Sequence, residues 1–321
     1  MSRKENSGPL SNLRILELGH FVAAPFCTRV LADLGAEIIK IETPGKGDPV
    51  RSWGKMVDGK SLWWSVHGRN KKSVTINLKN PKGLELVKRL IAECDGIVEN
   101  FRPGQLERWG LAPDVIATIN PACAVVHISG YGQTGPERDR AAFGVVGEAI
   151  GGLRHLTGFP EGMTTLPPAR MGISLGDMVA GLYAAIGLMS ALLENKSKPN
   201  TPARSADVAL TEAVFSLLEG ALPEYGKLGE VRQPTGATIP TSAPSSAYPS
   251  ADNRWVIIGA NSDLLFSRLM KLIERPDLGV DERFNDNPGR VAFMDVLDTA
   301  IGKWTITMDA VIAAKILADA D

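Results

Sequence analysis

The fold is indicated by residues 13–42, which read LRILELGHFVAAPFCTRVLADLGAEIIKIE. A strand is predicted at residues 13–18, and apolar residues at helical spacing follow up to Gly35. A second strand is predicted at residues 36–42. A strand, a helix and a strand in this order form a βαβ unit, whose two strands lie parallel. The stretch therefore predicts an α/β fold.

The same alternation continues to residue 132. Further strands are predicted at residues 73–78, 96–101 and 123–132, and a helix is predicted from Pro81 to Cys94. Repeated βαβ units form a doubly wound, mostly parallel, Rossmann-like sheet. We expect a large domain of this kind over residues 1–200, with ligands at the carboxyl ends of its strands.

The second half of the chain has a different composition. Residues 201–226 are expected to form a linker helix, within a helical pattern that extends over residues 210–229. A segment rich in Pro, Ser, Thr and Gly follows at residues 232–253, and a strand and a helix come after it. The pattern predicts a second, smaller α+β domain over residues 227–321.

Composition limits the partners. The chain has 321 residues, 44% of them hydrophobic, and a net charge of −1 from 35 basic and 36 acidic side chains. This balance provides no long-range attraction to nucleic acid or to an anionic membrane. The longest apolar run, Met178–Leu193, is short for a membrane span and typical of a buried helix. We expect no membrane association.

The termini and cysteines point to the cytoplasm. The polar N-terminus shows no secretory signal. Cys27, Cys94 and Cys123 are too few and too widely spaced for a disulfide framework or a metal knuckle, so we expect reduced, buried thiols.

Several familiar site motifs are missing. The turn GHFVAAP after the first strand lacks the GxGxxG spacing of nicotinamide and flavin sites, and there is no P-loop. The four histidines lack HExxH spacing, and there is no GxSxG elbow for a nucleophilic serine. We expect no metal and no tightly bound cofactor.

One acid, Asp177, stands at the front of the long apolar run. Ser174 and Asp177 fit a capping box, and an acid in the first turn interacts favourably with the helix dipole, effects of about 1 kcal/mol each. Alternatively, the small residues Ala180, Gly181 and Ala184 leave a groove beside the carboxylate. A substrate could approach there, although a close-packed helix would fit the same groove.

Five blocks in order carry a family resemblance. They lie at residues 13–54, 68–83, 97–111, 128–144 and 176–193, and include IVENFRPGQLERWGL, ISGYGQTGPERDRAAFG and GDMVAGLYAAIGLMSALL. With them the chain resembles, from about residue 11 to 315, the family III CoA-transferases (CaiB/BaiF family). The resemblance implies a CoA-transferase in which Asp177 attacks an acyl-CoA thioester and carries CoA as an aspartyl thioester. The substrates are then an acyl-CoA and a carboxylic acid.

The resemblance also implies the other site residues. Val22 and Ala23 belong to the loop near the thioester, where a backbone amide could stabilise an oxyanion. Arg108 is the strongest predicted contact to a CoA phosphate. The full set of predicted CoA-binding residues is Asn70, Lys71, Lys72, Asn100, Phe101, Arg108, Arg140 and Phe143.

Departures from the family pattern narrow the choice of substrate and of reaction. Members that use oxalate carry a glutamine where Val22 stands and a glycine-rich loop where residues 235–244 read TGATIPTSAP, so succinyl-CoA or another dicarboxylate is favoured. The related 2-methylacyl-CoA racemases carry a histidine and an aspartate where Phe143 and Gly144 stand. A racemase therefore remains an alternative that lacks one of its two bases. A non-catalytic CoA-binding protein is a further alternative.

The resemblance implies an assembly as well. Family members form homodimers whose two chains interlock, and residues 227–250 would be the crossing linker. Family members also continue beyond the position of Asp321 and return to complete the large domain. We expect that return to be absent from this sequence.

Overall fold

The computed structural model describes residues 8–198 and 204–320. These residues form two compact units. The first contains the residues up to His155 and the range Arg170–Arg232, and the second contains Leu156–Ala169 and the residues from Gln233 onward.

A parallel sheet forms the centre of the first unit. The strands of this unit are β1 (Arg14–Glu17), β2 (Glu37–Glu42), β3 (Met56–Val57), β4 (Lys60–Ser61), β5 (Lys71–Thr75), β6 (Gly96–Glu99), β7 (Ala124–Ser129) and β8 (Ser205–Ala209). Six of them form one sheet in the order β5-β2-β1-β6-β7-β8, and every pair in it is parallel. The remaining two, β3 and β4, form a small antiparallel hairpin. The predicted α/β fold with a mostly parallel, doubly wound sheet is confirmed.

The strand order places a ligand crevice. The chain starts in the middle of the sheet, runs outward through β2 to β5, and returns to continue beside β1 with β6. Parallel sheets of this kind bind ligands where the order reverses, outside the carboxyl ends of the two central strands. Here those ends are Glu17 and Glu99.

Helices cover the sheet and connect its strands. Their bounds are α1 (Ala23–Asp33), α2 (Leu62–His67), α3 (Pro81–Ile91), α4 (Gln105–Arg108), α5 (Pro113–Ile119), α6 (Gly144–Ile150), α7 (Leu153–Leu156), α8 (Leu175–Ser197), α9 (Leu210–Phe215) and α10 (Ala221–Leu228). Successive residues of β1, Ile15 and Leu16, point into two separate apolar clusters and are both fully buried. Both faces of the sheet are thus covered, as parallel sheets require.

The small residues of α8 contact α1. A Cβ atom built on Gly181 would lie 2.9 Å from the carbonyl oxygen of Ala23, and Ala180 and Ala184 are fully buried. The groove predicted beside Asp177 is therefore filled by a close-packed helix over these positions. Small side chains here let the two backbones approach, which brings the second turn of α8 against the start of α1.

Helix α8 is long and apolar enough to cross a membrane by length and composition. In this structure it packs against α1, β7, β8 and α9, and its inner face is buried. The prediction of a buried helix is confirmed for that face only, because Leu182, Ile186 and Leu193 are exposed on the other.

Several predicted elements differ from the structure. Residues 205–209, assigned to a linker helix, form the edge strand β8, whose alternating exposed polar residues resemble a loop in the sequence. The helix predicted over residues 210–229 is broken into α9 and α10, because Glu219 adopts a φ of 51°. The strand predicted at 73–78 begins at Lys71, where pairing with β2 begins.

The second unit combines a strand pair with helices. Its elements are β9 (Ser245–Pro249), β10 (Trp255–Gly259), α11 (Asp263–Leu272), α12 (Pro276–Gly279), α13 (Asn287–Ala292), α14 (Met294–Thr305) and α15 (Ala310–Asp319). The two strands pair antiparallel over a core that includes Tyr248, Phe266 and Leu297. Residues 156–169 also belong here, since the N–H of Gly236 donates to the carbonyl of Gly158, whereas the sequence placed them in the large domain.

Candidate active site

Asn100 joins the two loops at the switch point. It follows β6, and its Oδ1 accepts the backbone N–H of His20 at 2.8 Å while its Nδ2 donates to the His20 carbonyl at 2.9 Å. A Cβ on Gly19 would lie 2.4 Å from that same Oδ1, so only glycine leaves room for the contact. The loops after β1 and β6 are therefore held together by one side chain.

Buried charged side chains hold the loop after β1 in place. Lys40 Nζ donates to Glu17 at 2.6 Å and to the Gly19 carbonyl at 2.9 Å, and lies 2.8 Å from Asp48 Oδ2. Asp48 Oδ1 in turn accepts the N–H of Phe21, whose φ is 64°. The ion pairs thus support a left-handed backbone conformation that residues other than glycine rarely adopt.

The electrostatics of this cluster favour its charged form. Burial acts to raise the pKa of Glu17, but the amines of Lys40 and Lys71 outweigh it and lower the pKa to about 2. A carboxylate with two ammonium partners stays ionised in the interior. The loop after β1 therefore rests on an ionised Glu17, and Glu17 and Asp48 raise the pKa of Lys40 against the effect of burial.

Asp177 lies in the first turn of α8 and lines a cavity of about 160 Å³. The other lining residues come from the loops after β1 and β6, the start of α1, the end of β7 and the segment between it and α6, and the start of α9: Phe21, Ala23, Asn100, Phe101, Arg102, Pro103, Ile128, Ser129, Gly130, Arg140, Ala141, Ala142, Phe143 and Leu210. This is the crevice that the strand order predicts.

The carboxylate of Asp177 is unpaired in this cavity. Within residues 8–198 and 204–320, no hydrogen bond or ion pair engages it. Burial first, and then the negative charge of Glu148, raise the pKa of Asp177 to about 6, while Arg170 opposes the shift. A carboxylate without partners is free to act as a nucleophile once it is ionised.

The capping-box prediction for this helix is wrong. Ser174 occupies the N-cap position, but its side chain makes no capping hydrogen bond. The N–H of Gly176 is instead directed to Glu148 Oε1 at 3.4 Å, from helix α6. The sequence could not show this contact, because the two residues are far apart in the chain.

The start of α1 places the backbone of Ala23 at the cavity of Asp177. In the described part of the chain, no hydrogen bond engages the N–H groups of Val22, Ala23 or Ala24. Ala23 lines the cavity of Asp177, whereas the side chain of Val22 lines a neighbouring apolar cavity of about 380 Å³ beside Trp63. The two predicted loop residues are therefore adjacent but face different spaces.

A second cavity of about 420 Å³ adjoins the first. Its lining residues are His20, Ile41, Glu42, Thr43, Ile76, Asn77, Leu78, Lys79, Phe101, Arg102, Gln105 and Trp109. Phe101 and Arg102 line both cavities and so connect them. Lys79 was missed in the sequence, although its place just beyond a parallel strand was a signal.

The structure brings some of the predicted CoA-binding residues to these cavities. Asn100, Phe101, Arg140 and Phe143 line the cavity of Asp177. Arg108 is exposed, and its Nη2 donates at 2.8 Å to Gln105, a residue of the second cavity.

Three of the predicted CoA-binding residues make their contacts away from these cavities: Asn70, Lys71 and Lys72. The buried amine of Lys71 donates to Glu17 Oε2 and to the Pro25 carbonyl, at 2.8 and 2.7 Å. The side chain of Asn70 donates to Asp33, and that of Lys72 pairs with Glu37. Neither lines either cavity.

Comparison with known proteins identifies the family. The model described as CoA-transferase family III matches residues 10–321. The chain is 46% identical over 311 residues to succinyl-CoA–D-citramalate CoA-transferase of Chloroflexus aurantiacus, which covers 97% of this chain and 76% of that protein. It is 38% identical over 307 residues to the alpha subunit of succinyl-CoA–L-malate CoA-transferase of the same organism, covering 94% and 71%.

A solved structure agrees. A CaiB/BaiF family protein from Brucella suis superposes with a TM-score of 0.82 at 32% identity, over 98% of this chain and 82% of that one. The resemblance predicted from the sequence blocks is confirmed, and the chain is an enzyme that belongs to CoA-transferase family III.

Proposed function

We propose that this enzyme moves CoA from succinyl-CoA to a small dicarboxylic acid through a thioester on Asp177. The observation that carries the proposal is the unpaired Asp177 carboxylate in the cavity at the switch point of the sheet. The two Chloroflexus relatives use succinyl-CoA with citramalate and with malate, and both acceptors are dicarboxylic acids.

The chemistry needs one nucleophile. The Asp177 carboxylate attacks the thioester carbonyl, the C–S bond breaks, and CoA leaves as a thiolate from a mixed anhydride. The thiolate then attacks the aspartyl carbonyl of the anhydride, which releases succinate and leaves CoA on Asp177. The acceptor carboxylate attacks this thioester, and the same two steps run in reverse. No proton enters or leaves, because all the acids react as carboxylates.

The start of α1 supports the oxyanion formed in each step. The free N–H groups of Val22 and Ala23 stand at the positive end of an 11-residue helix, where backbone donors and the helix dipole favour negative charge. The tight contact between Gly181 and the Ala23 carbonyl keeps this helix start close to α8. We assign the two amides to the oxyanion.

The two connected cavities fit an extended substrate. The reacting thioester would lie in the cavity of Asp177, and the pantetheine arm would pass Phe101 into the second cavity. There Lys79 and Arg102, with Arg108 at Gln105, offer cations to the nucleotide phosphates.

The distal carboxylate of the acid also finds a cation. Arg140 and Arg102 are the basic residues in the wall of the Asp177 cavity. The guanidinium of Arg140 pairs with Glu137 and lies 5.6 Å from the ring centroid of Tyr131. An arginine held in this way suits a carboxylate. This favours dicarboxylic over monocarboxylic acceptors.

We also propose a homodimer, interlocked through residues 227–250, in a reducing compartment such as the cytoplasm. Exposed apolar residues on α8 and α10, among them Ile186, Leu193 and Leu228, offer a surface that a second copy would cover. The three cysteines are buried and free. Equilibrium sedimentation that finds a stable monomer at micromolar concentration would contradict the dimer.

Intact-mass measurement tests the covalent step. The enzyme is mixed with succinyl-CoA alone, and its mass should rise by CoA less one water; hydroxylamine should then convert the adduct to a hydroxamate on Asp177. Asp177→Asn keeps nearly the same shape and should give no adduct. An unmodified wild-type enzyme that still transfers CoA would overturn the mechanism.

A further inference from the structure

Glu148 is a buried carboxylate that the reaction above does not use. It lies on α6, its residue is 2% exposed, and its side chain reaches the first turn of α8. A Cβ on Gly176 would lie 2.7 Å from the Gly144 carbonyl and 3.3 Å from Glu148 Cγ, so the two helices meet without side chains between them at this point.

The Glu148 carboxylate lies where the N-cap side chain of α8 would otherwise accept a hydrogen bond. Helix α8 has no N-cap side-chain bond of its own, and Gly176, whose N–H is directed to Glu148, immediately precedes Asp177. A carboxylate at a helix N-terminus satisfies a free donor and interacts favourably with the helix dipole. On the other side, Glu148 Oε2 lies 3.8 Å from Arg154 and 3.5 Å from Arg170.

We propose that Glu148 is a positioning residue for the reaction at Asp177. Glu148 belongs to another helix but accepts the N–H of Gly176 in the first turn of α8. Its negative charge and the positive charge of Arg170 together set the electrostatic potential at Asp177. The inference rests on the proposed function, since it concerns the same carboxylate. Two further charged residues, Arg102 and Arg140, line the cavity that holds Asp177.

Two electrostatic influences support the assignment. Burial is the largest cause of the raised pKa of Asp177, the charge of Glu148 raises it further, and Arg170 lowers it. Glu148 and Arg170 therefore act on Asp177 with opposite signs. Removing each one in turn should move the titration of Asp177 in opposite directions.

The test separates position from charge with two substitutions. Glu148→Gln keeps an oxygen for the Gly176 N–H but removes the charge, so kcat at alkaline pH should stay near that of the wild type. The acid limb of its pH profile should move to lower pH, which raises its activity relative to wild type about fivefold as the pH falls to about 5. Glu148→Ala removes both effects and should lower kcat at every pH, by roughly 10- to 100-fold.

Two further variants complete the experiment. Arg170→Gln should move the acid limb to higher pH, opposite to Glu148→Gln. Ser174→Ala is the matched control, because Ser174 makes no capping bond, and it should leave the profile and kcat unchanged. Normal kcat in Glu148→Ala, or a wild-type pH profile in Glu148→Gln, would overturn the inference.

The outcomes are distinguishable from a failure of the proposed function. If the wild-type enzyme forms no CoA adduct on Asp177, the proposed function fails. If the adduct forms and the acid limb of Glu148→Gln does not move, only the role of Glu148 fails. If Glu148→Ala does not fold, the pH profiles of Glu148→Gln and Arg170→Gln still test the inference, because neither substitution removes the capping oxygen.

Discussion

Gly144 and Asp177 compete for one volume. A Cβ atom built on Gly144 would lie 2.1 Å from Asp177 Oδ2 and 2.7 Å from its Cγ. Both distances are well inside van der Waals contact, so the carboxylate keeps its place only because residue 144 has no side chain. The aspartate that related racemases carry at this position could not coexist with Asp177 in its present orientation.

Gly144→Ala should therefore displace the Asp177 carboxylate, the proposed nucleophile. The added methyl group forces the carboxylate away by about 1 Å, and a shift of that size costs on the order of 100-fold in kcat. The measurement is steady-state CoA transfer, with unfolding followed in parallel. Gly226→Ala is the matched control, because Gly226 is helical and nothing lies within 4 Å of its added Cβ. Equal activity in the two variants would show that Asp177 tolerates the displacement.

The free energy of unfolding should depend on pH because the Asp177 carboxylate is buried. Its pKa is raised to about 6 in the folded protein, so the folded state binds the proton more tightly than the unfolded state. The stability that Asp177 contributes is present below its unfolded pKa and is lost as the pH rises through about 6. Asp177→Asn should then be more stable than wild type at neutral pH, by about 1–3 kcal/mol.

Denaturant unfolding at several pH values measures this difference. The gain from Asp177→Asn should vanish below about pH 4, where both states of the wild-type protein are protonated. A constant difference at all pH values would show that it arises from packing. The acid limb of kcat/KM should follow the same titration, with activity rising as the pH passes about 6.

Replacing Lys40, which forms the buried ion pairs that support the loop after β1, should strongly lower the free energy of unfolding. Lys40→Met leaves Glu17 and Asp48 buried without their shared cation, and breaking a buried pair in this way costs about 3–5 kcal/mol. Lys72→Met is the control: Lys72 is 66% exposed, and its pairing with Glu37 should contribute less than about 1 kcal/mol. Similar unfolding free energies for the two variants would contradict the role given to Lys40.

Binding of CoA should depend on the cations of the second cavity. Lys79→Ala and Arg102→Ala should each raise KM for succinyl-CoA about tenfold with little change in kcat, because a charge-assisted hydrogen bond contributes about 1.5–3 kcal/mol. The rise should shrink at high salt. Arg275→Ala, an exposed arginine of the second unit paired with Asp277, is the control. A lower kcat at unchanged KM would place the phosphates elsewhere.

Deuterium exchange separates transfer from racemisation. A racemase needs a base on each face of the substrate α-carbon, whereas the cavity beside Asp177 presents the ring of Phe143 and the hydrogen of Gly144. We expect 2-methylacyl-CoA incubated with the enzyme in D2O to gain no α-deuterium, while CoA moves to an added dicarboxylate with ping-pong kinetics. Rapid exchange without CoA movement would instead direct attention to His20 as a base.

The sequence by itself determined the fold class and, through the resemblance of five blocks, the family. Apolar strands and the helical spacing between them predict the α/β fold, and the front of one apolar run marks Asp177, which only the resemblance makes the proposed nucleophile. Buried parallel strands are continuous and apolar, so they are clear in a sequence. The edge strand β8 is partly exposed and polar, and for that reason its sequence resembles a loop.

Only the tertiary structure decided which charged groups reach the site. Lys71 and Arg102 are both basic residues near strand ends, yet Lys71 is neutralised by Glu17 in the interior while Arg102 lines both cavities. In the same way, Ser174 has the right spacing for a cap, but Glu148 from another helix is the residue directed to the Gly176 N–H. Ion pairs and caps of this kind join residues far apart in the chain, and their partners depend on how the helices pack, which local sequence pattern does not encode.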